Sequence, residues 1–270
     1  MSTENELKEL VKQKYGQIAL QNKDDNQASC CGAGGCSTEV YNIMTDDYTG
    51  LQGYTEDADL GLGCGLPTQF AKIKAGDVVI DLGSGAGNDA FIARAETGET
   101  GKVLGIDFTP AMIDKARNNA EKLGFNNVEF RQGDIENMPV TDAYADVIVS
   151  NCVLNLVPDK RAVLKDIFRV LKANGHFSIS DIVLIGELPS ALKEAAEMYA
   201  GCVAGAIQKH EYLSMIKENG FTNITIQKEK PIVIPDDILS RYLDAEAIQN
   251  FRSGSDGIFS ITVYAEKSDI

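Results

Sequence analysis

Val78-Val-Ile-Asp-Leu-Gly-Ser-Gly-Ala-Gly87 is the stretch that decides the fold. Four apolar residues around one aspartate make a short run suited to a strand buried on both faces. Three glycines at alternate positions follow at once. They let the backbone turn sharply and let another group approach it closely. Asp89 to Glu96 then reads as the start of a helix. Strand, glycine turn and helix in that order belong at the ligand-binding end of a doubly wound sheet.

The same alternation continues outward from this stretch. Val103–Asp107 reads as a second strand, and Pro110 opens a second helix carrying Met112, Ile113 and Ala116, because proline is tolerated in a first helical turn. Val128–Arg131, Asp146–Ser150 and His176–Val183 are further strands, with a helix over Arg161–Leu171 between the last two. Strands alternating with helices imply a mostly parallel sheet covered on both faces, a Rossmann-like α/β fold. Before it, residues 4–20 form an amphipathic helix with Leu7, Leu10, Val11 and Ile18 on one face, and Tyr41 to Leu66 is loop-like. After it, Leu188 to Asn219 is mostly helical. Thr222–Gln227 and Phe259–Tyr264 alternate at period two as strands, with a helix over Asp236–Asn250 between them. We divide the chain into an N-terminal helix and Cys/Gly-rich loop (1–65), an α/β core (66–220) and a small α+β part (221–270) that completes or flanks the sheet.

The 270 residues suit one medium domain with additions, and 44% hydrophobic content is that of a globular protein. A net charge of −15 repels phosphates, which argues against nucleic acid and anionic membrane surfaces as partners. No apolar run is long enough for a transmembrane helix, and Met1-Ser-Thr-Glu-Asn-Glu lacks the apolar stretch of a secretory signal. Six cysteines in such a chain fit reduced thiols in a cytoplasm better than a disulfide scaffold. On general grounds we expect a monomer.

The glycine loop indicates its ligand. Gly83, Ser84, Gly85 and Gly87 form G-x-G-x-G, not the G-x-G-x-x-G that cradles a pyrophosphate. Asp81 just before the loop would repel a diphosphate but suits an amino acid or sulfonium cation. Asp107, ending the second strand with Phe108 beside it, can accept hydrogen bonds from both ribose hydroxyls; Met112 follows on the next helix. Asp134 after the third strand can take the adenine amine, with Ile135 flanking, and Asn151 ends the fourth strand facing the same place. S-adenosylmethionine carries ribose and a sulfonium and no phosphate, so it is the expected cofactor.

Residues 76–183 resemble a class I methyltransferase core. The longer pattern, with Gly61-Leu-Gly-Cys-Gly65, Ser150-Asn-Cys-Val-Leu-Asn-Leu-Val-Pro-Asp-Lys160 and Gly201-Cys202, is similar to arsenite methyltransferases from about Cys36 to Lys267. The resemblance implies methyl transfer from S-adenosylmethionine to trivalent arsenic, with arsenite or its thiol conjugates as substrate and thioredoxin or glutathione as reductant. It also implies that Cys64 is the third arsenic ligand or a redox partner of Cys152, and that Cys36 matches a family thiol. Eukaryotic-like members often carry an aromatic residue two positions before the Cys64 equivalent. Leu62 stands there in this chain, and Tyr54 is the candidate to replace that wall.

Read from the residues, Cys152 stands at the end of a buried strand, and Cys202 comes from a helical region that can fold over the same mouth. Alone, each would be a small buried hydrophobe. Together, beside a sulfonium site, they are the first choice of arsenic(III) ligands, since soft arsenic takes thiolates. A thiol-bound arsenic attacks through its own lone pair and has no proton to lose, so no general base is required. That agrees with two histidines, His176 and His210, that fall in no acid–base motif. The spacing of Cys30, Cys31 and Cys36 does not make a tetrahedral zinc site. Two alternatives remain: a methyltransferase for another small-molecule nucleophile, and a non-catalytic arsenic-binding protein, which would not need the acidic and glycine positions.

Overall fold

A computed structural model describes residues 4–20, 46–188, 203, 205–234, 236–240, 243–254 and 256–269. Seven strands form one sheet: β1 (Val78–Leu82), β2 (Lys102–Asp107), β3 (Val128–Gln132), β4 (Ala145–Asn151), β5 (Leu171–Ile185), β6 (Phe221–Pro231) and β7 (Gly257–Lys267). The order is β3-β2-β1-β4-β5-β7-β6; β1 to β5 pair in parallel, and β7 runs antiparallel to both its neighbours. The expected mostly parallel, doubly wound α/β architecture is therefore the one observed. The described helices are α1 (Glu4–Ala19), α2 (Pro67–Phe70), α3 (Asn88–Thr97), α4 (Pro110–Leu123), α5 (Lys160–Val170), α6 (Lys209–Glu218), α7 (Asp236–Leu239) and α8 (Ala245–Ser253).

Side chains on a strand alternate between faces, and the two faces build two cores. Val79, Val103, Val147 and Val149 pack with Phe91 and Ala93 of α3 and Ile113 and Ala116 of α4. Ile80, Leu104 and Ile148 pack on the other side with Val163, Leu164 and Ile167 of α5 and Tyr212 and Ile216 of α6. Each fully buried aliphatic side chain stabilises the fold by about 1.5–3 kcal/mol. Helix ends follow their chemistry: Asp159 caps α5 by accepting from Ala162 N at 3.0 Å, and Gly124 ends α4 in the left-handed conformation.

Several boundaries differ from the sequence reading. The helix expected to reach Leu171 stops at Val170, because Leu171 is already extended and pairs with Ala145 across a bulge, so β5 starts well before His176. The helix expected over 236–250 is two, because Asp244 caps a new start by accepting from Ala247 N at 2.8 Å. Of the helix expected from Leu188 to Asn219, α6 is the described helical part after residue 203; residues 205–208 before it are not helical, and Gln208 instead bridges to Leu184. The loop-like stretch before Leu66 holds a 3₁₀ turn at Glu56–Ala58. On α1, Leu10 is 63% exposed, while Tyr15, Ile18 and Ala19 pack against Leu60, Ala86 and Met112; α1 lies on the rim of the sheet's carboxyl end and buries a narrower face than its pattern implies. No described helix is long and apolar enough to cross a membrane.

Candidate active site

The order of strands reverses between β1 and β4, which opens a crevice at their carboxyl ends. Asp81, Gly83, Ser84, Gly85, Asp107, Phe108, Met112, Asp134, Ile135, Asn151 and Cys152 all line this one cleft. Gly87 does not. It stands before α3 with φ 102° and packs against Phe91 and Phe130. At Gly83, φ is 65° and an added Cβ would meet Val153 at 2.4 Å, so the turn after β1 requires glycine.

The donor end of the cleft is a set of carboxylates. Asp107 accepts from Gly85 N at 3.1 Å and from Thr109 N at 2.8 Å, which fixes its carboxylate at the end of β2. Burial holds it above the usual carboxylate range, and those backbone bonds oppose the shift. Asp81 is held well above that range by burial, then by the charges of Asp89 and Asp107. Asp89 is raised to about 6 by burial, against the pull of hydrogen bonds from Asn151 and Tyr48. Oδ2 of Asp81, Oδ1 of Asp89, Oγ of Ser84 and Oδ1 of Asn88 are buried with no hydrogen-bond partner among the described residues. Buried carboxylates that repel one another and keep unused acceptors fit a cation. They do not fit a diphosphate.

Asp134 is engaged differently from the sequence expectation. Its Oδ2 accepts from Lys8 Nζ of α1 at 2.7 Å, and Lys8 also contacts Glu136. Lys8 and Tyr15 thereby bring α1 to the end of the cleft where Asp134 stands. Tyr54 is not among the residues that line the cleft: its hydroxyl donates to Asp59 Oδ2 at 3.3 Å, and Tyr48 lines the cleft together with Leu62. Tyr48, Asp59 and Asp89 escaped the sequence reading. Asp89 opens a helix, where an acid is ordinary dipole chemistry, and neither Tyr48 nor Asp59 stands in a strand-end motif.

The thiol end is apolar. Cys64, fully buried, and Cys152 pack in one cluster with Ile182, Leu184, Val203 and Ile258. Cys152 follows β4 with φ 61°, a left-handed conformation unusual for a side-chain-bearing residue, and its amide donates to Ser180 O at 2.8 Å. Such backbone strain costs about 1–3 kcal/mol and gathers at functional sites. Cys64 N donates to Asn151 Oδ1 at 3.0 Å, and Cys64 O accepts from Ser260 Oγ at 2.5 Å, so its loop is pinned between β4 and β7. Behind the cluster, Tyr212 donates to Asp181 Oδ2 at 3.3 Å. Burial pushes Asp181 up to about 7, while Lys160 draws it down. Val203 is the residue after Cys202; Cys202, Cys30, Cys31 and Cys36 lie outside the described residues. Among the described residues no group of three or more His, Cys, Asp and Glu could hold a metal ion. Neither histidine lines the cleft; His176 Nε2 lies 2.6 Å from Ala71 O.

Residues 73–220 match the methyltransferase domain family. The chain is 40% identical over 229 residues to an arsenite methyltransferase of Halobacterium salinarum, covering 82% of this chain and 59% of that protein. It is 32% identical over 244 residues to one of Aquipseudomonas alcaligenes, covering 88% and 68%. A solved arsenic(III) S-adenosylmethionine methyltransferase from Chlamydomonas reinhardtii superposes with a TM-score of 0.63 at 34% identity, covering 76% of this chain and 68% of that one. The chain spans about three fifths of the length of the first of these relatives.

Proposed function

The chain belongs to the arsenite methyltransferase family of methyltransferase-domain proteins, and from that premise we propose that it methylates trivalent arsenic with S-adenosylmethionine as donor. The observation that carries this reading is the pairing of Cys64 and Cys152 in one buried cluster, with Cys152 also on the wall of the acidic cleft. When bound, S-adenosylmethionine supplies an electrophilic methyl carbon on a sulfonium. Asp81 and Asp89 hold the amino-acid cation, Asp107 takes the ribose hydroxyls, and Ile135 and Met112 enclose the base. Cys64, Cys152 and Cys202 bind arsenic as thiolates, and the apolar residues around them keep water away. These residues act by orienting, and positioning alone can lower such a barrier by about 7–11 kcal/mol. Neither histidine is at the cleft to serve as a base, which suits a nucleophile without a proton.

Gain of a methyl group raises arsenic formally from As(III) to As(V). Two thiols closing a disulfide return the two electrons, and thioredoxin or glutathione restores the thiols. Cys64, if not the third arsenic ligand, is the partner of Cys152 in this step, and Cys36 is the further thiol that the family resemblance brings in. The test is incubation of purified protein with arsenite, S-adenosylmethionine and glutathione, followed by mass spectrometry for methylated arsenicals. Their appearance supports the reading. Their absence, with S-adenosylhomocysteine binding intact, removes arsenic as the substrate and leaves a methyltransferase for another nucleophile.

A further inference from the structure

Between the acidic and the apolar ends of the cleft stands a hydrogen-bonded strut. Asn151 Nδ2, with two hydrogens to donate, lies within hydrogen-bond reach of Gly65 O at 2.8 Å, Asp89 Oδ2 at 3.1 Å and Tyr48 Oη. Its Oδ1 accepts from Cys64 N at 3.0 Å. The Tyr48 hydroxyl reaches Gly65 O at 3.0 Å and Asp89 Oδ2 at 3.1 Å. Tyr48 is buried, and space around the strut is full: a Cβ at Gly63 would come within 2.7 Å of Asn151 Nδ2 and 3.0 Å of Tyr48 Oη. Asp89 thus spends one oxygen on the strut; its other oxygen is buried and unpartnered among the described residues, and the residue lines the cleft.

We propose that Tyr48 is a positioning residue that, with Asn151, ties the Cys64 loop to Asp89, so that binding of the donor's cation and seating of the Cys64 thiol are one linked event. The inference rests on the proposed arsenic chemistry and deepens it. The physical link is charge. A cation in the cleft beside Asp89 keeps its carboxylate ionised, and hydrogen bonds to an ionised acceptor are about twice as strong as neutral ones. Tyr48 and Asn151 are then held more firmly, and Asn151 Oδ1 fixes the amide of Cys64. Linkage is reciprocal, so an arsenical on the thiols must tighten the donor in the same ratio.

Calorimetric titration of S-adenosylhomocysteine with and without phenylarsine oxide reads the linkage directly. In the unsubstituted chain the arsenical tightens S-adenosylhomocysteine about 5-fold or more. In Tyr48→Phe both ligands still bind, but the ratio falls to near one. A merely structural role for Tyr48 would lower stability or both affinities and leave the ratio unchanged, and that result overturns the proposal. If the unsubstituted chain binds no phenylarsine oxide, the arsenic reading itself has failed. Should Tyr48→Phe not fold, hydrogen exchange of the 60–66 segment in the unsubstituted chain decides instead. S-adenosylhomocysteine slows exchange at Cys64 about 5-fold or more, while 5′-methylthioadenosine, which lacks the amino-acid cation, does not. Equal protection by both ligands overturns the proposal.

Discussion

Asp81, Asp107 and Asp134 reach the cleft from β1, β2 and the turn after β3, whereas Cys64 and Cys152 meet only through a loop before the sheet and the end of β4. The first wall is polar, and neighbouring strands position it by their parallel register, with Asp81 opposite Gly105 and Leu82 opposite Ile106. The second wall is apolar and long-range: Asn151, Ser180 and Ser260 each fix the backbone of one of the two thiols. One wall is thus a property of the fold shared by many cofactor-binding sheets. The other carries what distinguishes this chain, and substitutions should separate them.

The largest effect is expected on the thiol wall. Cys152→Ser keeps size and the backbone turn but replaces a soft ligand by a hard one. Methylation of arsenite should fall about 1,000-fold, roughly 4 kcal/mol, while affinity for S-adenosylhomocysteine changes less than about 2-fold. A parallel loss of both, read by product mass spectrometry and calorimetry, would show that the two walls are not separable. On the donor wall, Asp81→Asn removes the charge that faces the cation. Loss of one partner of a buried charge pair costs about 2–5 kcal/mol, so S-adenosylhomocysteine should bind about 30-fold more weakly or worse. Phenylarsine oxide affinity measured without donor should be unaltered.

A smaller effect divides the walls by pH. Asp89 titrates at about 6 because burial outweighs its bonds to Asn151 and Tyr48. A protonated Asp89 offers no charge, so S-adenosylhomocysteine affinity should fall by up to about tenfold per unit as pH drops below 6. Stability without ligand runs the other way. A carboxyl with a raised pKa binds its proton more tightly folded than unfolded, so its contribution is complete below 3.8 and is lost as pH rises through about 6. Asp89→Asn should flatten both profiles, and a binding profile that keeps its slope in that variant would assign the titration to Asp81 instead.

What the sequence disclosed follows the same division. Gly83, Asp81 and Asp107 stand in strand-turn-helix motifs, where local spacing alone implies a ligand wall, and they line the cleft as expected. Cys152 was legible for the same reason, being at a strand end. The role of Asn151 was half legible. Its place at the end of β4 announced a cleft residue, but its bond to Cys64 N links positions 87 apart in the chain, and no spacing encodes such a contact. Tyr48 was invisible because it stands in an irregular stretch and acts through Asp89 and Gly65 O. Tyr54 is the aromatic that the sequence suggests for the wall at Leu62, and its hydroxyl donates to Asp59 instead. Irregular segments lack the periodicity that tells which side chains turn inward.

The smallest effect probes where the donor wall ends. Lys8 of α1 pairs with Asp134 at 2.7 Å, with the two side chains 31% and 42% exposed. Lys8 also pairs with Glu136, and part-exposed pairs contribute about 0–1 kcal/mol each, so Lys8→Met, which retains the apolar stem, should cost about 2 kcal/mol of stability at most. Were Asp134 to take the adenine amine, Lys8 would compete for the same carboxylate, and the substitution removes that competition. Affinity for 5′-methylthioadenosine should therefore rise about 3-fold at low salt, and the gain should shrink as salt screens the pair in the unsubstituted chain. A fall in affinity would mean that Lys8 touches the ligand itself. The donor wall would then include α1, and it would be built by long-range contact as the thiol wall is.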